Sequence, residues 1–134
     1  MSKLISISEA AHIAIHGMIL VAKADGVMNV QKISEAMDSS KHHVAKVFQR
    51  LVKAGFVASQ RGPNGGFKLL KKPGEITMLD IYQEIEGEIS VSECPLEKPV
   101  CPFSRCIMNG ITKKLTLEFK KYMQEQTLED FLDY

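Results

Sequence analysis

No apolar run in this chain is long enough to cross a bilayer. The longest, Met18 to Ala22, is five residues, where a spanning helix needs about 20. Met1-Ser2-Lys3 leads into alternating polar and apolar residues rather than the uninterrupted hydrophobic stretch of a signal peptide. The expectation is a cytoplasmic protein with no membrane partner. Internal repeats and low-complexity tracts are missing as well. So are a C-x2-C pair, a downstream His pair, an evident Cys–His pair and a glycine-rich phosphate loop ahead of a helix. A zinc finger and a zinc or thiol enzyme therefore lack support, and the chain is expected not to be an enzyme.

Acidic residues are absent from one long stretch. Ser39 to Gly74 holds eight Lys or Arg and no Asp or Glu, whereas Glu75 to Tyr134 holds six basic and twelve acidic residues. The whole chain of 134 residues carries only +1. One basic segment in a nearly neutral protein points to a localised polyanion contact, although charge alone fits a solvated basic face equally well.

Apolar spacing and turn formers set out the elements. Ala11, Ala14, Ile15, Met18 and Ala22 predict a helix over about 8–24, ended by Asp25-Gly26. Asn29 caps a short second helix that turns Val30, Ile33 and Met37 inward. Asp38-Ser39-Ser40 is a turn and cap before a third helix over about 41–54, with Val44, Val47, Phe48 and Leu51 on one face. Strands at about 56–60 and 67–70 flank the turn-forming Arg61-Gly62-Pro63-Asn64-Gly65-Gly66. Thr77 and Asp80 form a capping box for a fourth helix that stops at Gly87. A cysteine-bearing loop leads to a long helix over about 104–124, with Ile111, Leu115, Phe119 and Tyr122 as its stripe. Thr127 and Asp130 then cap a short last helix.

The fold class is mainly α with a small β-hairpin: three helices and a hairpin in the order of a winged helix-turn-helix. Residues 1–87 are the expected DNA-binding region, with the helix-turn-helix at about 30–53 and the wing at about 56–70. Residues 88–134 are the cysteine loop and a dimerisation helix. The third helix is the recognition helix. Its buried face leaves Ser40, Lys41, His42, His43, Lys46, Gln49, Arg50 and Lys53 for solvent or DNA. Their donors suit phosphates and base edges, though Lys53 and Lys68 serve equally as solubility charges. Arg61, beside glycines at the hairpin tip, is placed to enter a minor groove. The apolar positions of the long helix call for a partner surface, so a homodimer on a pseudo-palindromic double-stranded DNA operator is expected.

Cys94, Cys101 and Cys106 are the only cysteines and lie in a polar, proline-containing segment as C-x6-C-x4-C. Clustered thiolates in a cytosolic protein suit metal or cluster binding, a thiol redox switch or a structural role.

The run Leu51-Val52-Lys53-Ala54-Gly55-Phe56-Val57, followed by Arg61-Gly62-Pro63-Asn64-Gly65-Gly66-Phe67, resembles the Rrf2 family of bacterial winged-helix regulators. The resemblance covers almost the whole chain. It implies that Arg61 is the wing residue that enters the minor groove. It also implies that Cys94, Cys101 and Cys106 hold an iron–sulfur cluster, [2Fe–2S] favoured over [4Fe–4S], although the cysteine spacing departs from the usual family spacing by one residue in each gap. The fourth ligand stays open. Some members place a His three residues after the third Cys, where this chain has Asn109. Others take a carboxylate or His from the partner subunit's first helix, where this chain has Glu9 and His12. At Ala45 members of the family can carry a carboxylate that discriminates between operator classes. The implied function is a DNA-binding regulator, usually a repressor, responding to iron, redox state or nitric oxide. The alternative is a cluster-free regulator acting through thiol oxidation or by docking a metabolic enzyme.

Overall fold

The computed structural model describes residues 5, 7–94, 96 and 101–134. Residues 1–4, on which the expectation about a leader rests, lie outside the described residues, as do five of the six residues between Cys94 and Cys101. No helix among the described residues is long and apolar enough to cross a membrane.

Helix α1 runs Glu9–Lys23, α2 Val30–Met37 and α3 Lys41–Lys53, and strands β1 Val57–Gln60 and β2 Gly66–Leu69 form the antiparallel hairpin. Helix α4 is Met78–Glu86, α5 is Ile111–Glu125, and short 3-10 turns lie at Pro73–Glu75 and Leu128–Phe131. Side-chain caps fix the starts: Ser8 Oγ accepts from Ala11 N–H, Asn29 from Lys32 N–H and Ser40 from His43 N–H. Thr77 and Asp80 close the expected capping box, and Thr127 and Asp130 close another. Each satisfies backbone donors that the helix itself cannot pair.

The core lies where α1, α3 and α4 meet. Ile13, Met18, Ile33, Val44, Phe48, Leu51, Val57, Ile76, Ile81 and Leu128 are all fully buried there. The inward face of α3 is the one expected from the sequence. On α1 the buried stripe is Ala11, Ile13, Ala14, Met18 and Val21, while the expected Ile15 and Ala22 are half-buried. Gly17 lets α3 approach, because a Cβ there would sit 2.8 Å from Phe48 Cε2.

The hairpin pairs Val57 with Leu69 and Gln60 with Gly66. It is anchored by a bridge that the sequence did not announce. Met28 N–H donates to Phe67 O at 3.0 Å, and Phe67 N–H donates to Met28 O at 2.9 Å. Gly66 permits this approach, with φ 155° and space that would put a Cβ 2.7 Å from the Met28 carbonyl. The C-terminal segment is stitched to the start of α4: Met78 N–H donates to Gln126 O at 2.8 Å and Leu128 N–H to Ile76 O at 3.1 Å.

The largest departure from expectation is the start of α5. It begins at Ile111, not near Ser104. Asn109 and Gly110 both take left-handed backbone, φ 50° and 75°, which a right-handed helix cannot contain. Cys106 therefore lies in the turn before the helix, its carbonyl accepting from Asn109 N–H at 3.1 Å.

Candidate nucleic-acid interface and cysteine loop

The seven polar positions of α3 and its cap, Ser40, divide into distinct groups. Lys41, His42, Lys46, Gln49, Arg50 and Lys53 are exposed. His42, Lys46, Gln49 and Lys53 recur at the four- and three-residue spacing of one helical face, opposite the buried Val44, Val47, Phe48 and Leu51. That outward stripe carries two lysines and no acidic side chain. Ser40 is exposed, but its hydroxyl caps α3.

His43 and Arg50, seven residues apart, flank that stripe on the side where α3 meets the rest of the protein. His43 Nδ1 lies 3.7 Å from Glu9 Oε1 at the start of α1. Arg50 Nη2 donates to Glu84 O at 2.7 Å and to Ile85 O at 3.2 Å. These carbonyls belong to the last turn of α4, where the helix leaves them unpaired and its dipole favours a cation. From sequence alone Arg50 is left for solvent or DNA; the partners it has here lie more than thirty residues away along the chain.

Arg61 is exposed at the hairpin tip, next to Gly62 at φ 108°. No acidic residue occurs anywhere between Ser39 and Gly74, so the wing and the outward face of α3 share one sign of charge. Such a surface attracts a phosphate backbone and is weakened by salt.

All three thiols are exposed. Cys94 follows a stem that is tied down at several points. Ile89 N–H donates to Gln83 Oε1 at 3.1 Å, Ser92 Oγ donates to Cys94 O at 3.1 Å, and Glu93 pairs with Lys113 on α5. Three soft thiolate donors in one loop suit an iron–sulfur cluster by their chemistry. The described residues do not gather any three His, Cys, Asp or Glu side chains into a metal site. Asn109 lies in the turn before α5.

Glu9 and His12 stand exposed on α1, facing a groove of about 900 Å³ lined mainly by apolar side chains, including Ile15, Ile19, Tyr122 and Met123. His12 lies against His16, with ring centroids 4.0 Å apart and planes tilted by 44°. Burial, then the neighbouring His16, hold its pKa below the usual histidine value, while Glu9 opposes the shift.

Comparison with known proteins gives a consistent picture. Residues 7–134 match the Rrf2 family, described as iron-dependent transcriptional regulators. The chain is 33% identical over 107 residues to the HTH-type transcriptional regulator NsrR of Oceanobacillus iheyensis, covering 78% of this chain and 72% of that one. It is 26% identical over 108 residues to the regulator IscR of Aliivibrio salmonicida, covering 81% and 64% of the two chains. Among solved structures, CymR (YrzC), the global cysteine regulator of B. subtilis, superposes with a TM-score of 0.81 at 28% identity, covering 97% of this chain and 98% of that one.

Proposed function

The chain belongs to the Rrf2 family of transcriptional regulators, and from that premise we propose that it is a DNA-binding repressor whose operator affinity is set by an iron–sulfur cluster on Cys94, Cys101 and Cys106. The observation that carries this reading is the loop itself. It holds three exposed thiols within thirteen residues, and its stem runs directly from the helix that Arg50 ties to α3.

In this reading residues 1–87 form the DNA-reading unit and residues 88–134 the cluster loop and dimer helix. His42, Lys46 and the backbone N–H groups of the α3 start face the major groove, with Lys41 beside them and Ser40 holding the helix start in shape. Arg61 enters the minor groove. Cys94, Cys101 and Cys106 supply three thiolates, and Glu9 or His12 of a second subunit is the candidate for the remaining position. When bound, the cluster supplies a centre whose charge and ligation respond to iron, oxidants or nitric oxide. The [2Fe–2S] form is the one proposed, and the site of action is the cytoplasm. The homodimer is supported by the apolar side chains that α5 leaves uncovered, Ile111 and Tyr122 on one side of the helix and Leu117 on another.

A second reading has one observation in its favour, the close superposition on the cysteine regulator CymR. In it the same thiols act by oxidation without a cluster. Protein purified without oxygen separates the two. Iron and sulfide in wild-type protein, lost in each of Cys94→Ala, Cys101→Ala and Cys106→Ala, support the cluster. Colourless protein without iron whose DNA affinity falls on oxidation supports the thiol reading.

A further inference from the structure

Three elements meet at the root of the cysteine loop. Arg50 of α3 donates to two carbonyls in the last turn of α4. Ser8, the cap of α1, donates its hydroxyl to the Glu86 carboxylate in the same turn. One residue later, at Gly87, the chain leaves α4 with φ 87°. The stem then folds back, with Ile89 N–H held by the Gln83 side chain at 3.1 Å, and reaches Cys94. The recognition helix is thus fastened to the very turn from which the cysteine loop departs.

The chemistry of the fastening is specific. Carbonyls in the last turn of a helix have no intrahelical partner, and one guanidinium nitrogen of Arg50, Nη2, reaches two of them. A hydrogen bond from a charged donor is stronger than a neutral one. Lysine carries the same charge on a flexible stem but lacks the planar group that fixes the direction of the donor. By contrast, nothing in this geometry turns the Arg50 Nη2 atom toward the stripe of His42, Lys46, Gln49 and Lys53.

We propose that Arg50 is a positioning residue rather than a DNA contact: it transmits the state of the cysteine loop, through the last turn of α4, to the orientation of α3. The proposal rests on the function proposed above but concerns a link within the chain that exists with or without a cluster. A route between two sites needs a demonstrated coupling, so the test perturbs one end and reads the other.

The perturbation is alkylation of the three thiols with N-ethylmaleimide, which requires no cluster. The readout is amide hydrogen exchange along α4 and α3. In wild-type protein, alkylation is expected to change exchange in the last turn of α4 and, by roughly threefold or more, in α3. In Arg50→Ala the change is expected to stop at α4, with Arg50→Lys intermediate. Binding to double-stranded DNA of arbitrary sequence gives the second readout. Arg50→Ala should leave the slope of affinity against salt unchanged, whereas loss of a phosphate contact lowers it by about one.

Gln83→Ala, which releases Ile89 without touching α3, should weaken the same transmission and serves if Arg50→Ala does not fold. A wild-type α3 that ignores alkylation overturns the proposal. So does an α3 response that persists in Arg50→Ala or Gln83→Ala, or a salt slope that falls by one in Arg50→Ala. Absence of iron from the purified protein would overturn the cluster reading alone and leave these outcomes readable.

Discussion

Gly17 and Arg61 show how differently single residues bear on this protein. A methyl group at position 17 would lie 2.8 Å from the ring of Phe48, which is fully buried and has no room to retreat. Gly17→Ala is therefore expected to destabilise the fold by about 1–3 kcal/mol, despite alanine's better helix propensity. Thermal or denaturant unfolding measures this directly, and an unchanged midpoint would mean that α1 and α3 shift apart freely. Arg61 is exposed and contributes little to packing. Arg61→Ala should leave stability intact and weaken operator binding by about 1–3 kcal/mol. Lys46→Ala, if Lys46 meets only phosphate, should weaken all DNA sequences alike and lower the salt slope by about one. Titration of labelled duplexes at several salt concentrations distinguishes the two, and unchanged binding in both variants would remove the wing and the outward face of α3 from the interface.

At the scale of elements, what could be read from the sequence was what is local. The Asn29, Thr77–Asp80 and Thr127–Asp130 caps are set by residues within one turn of each other. The inward face of α3 follows from spacing alone. What could not be read joins distant segments: the Met28–Phe67 bridge, the Arg50 bonds to α4 and the Glu9–His43 contact. Position in the sequence made Arg50 and His43 resemble Lys46, and only the packing of α4 and α1 against α3 separates them. The start of α5 was misplaced for a different reason. Gly110 is tolerated inside a helix only at a cost, and together with the left-handed Asn109 beside it marks the boundary. For the same reason Cys106 sits in a turn, free of helical geometry, which suits its proposed role as one of three cluster ligands. Helix α5 also exposes Leu117 and Tyr122, 46% and 55% accessible. A homodimer built on this helix should weaken when either becomes Lys, because a charge buried without a partner is costly. Light scattering at micromolar concentration checks it, and a monomeric wild-type protein would contradict the dimer.

Across the whole molecule, the basic and cysteine-bearing regions are separate in sequence but share a junction. Helix α4 packs against α1, α3 and α5, and its last turn opens into the cysteine loop. Charge is uneven along the chain as well, with Ser39 to Gly74 wholly basic and the acidic excess starting at Glu75, so that α4 itself is acidic. Control of one region by the other then needs only modest coupling, since about 1.4 kcal/mol changes affinity tenfold. The decisive measurement is the affinity of one protein preparation, before and after its iron is removed without oxygen, for an operator selected from random duplex DNA. Cluster control requires the two affinities to differ by about tenfold or more, with iron, sulfide and the difference all lost in Cys101→Ala. Equal affinities in protein shown to have carried iron would contradict it.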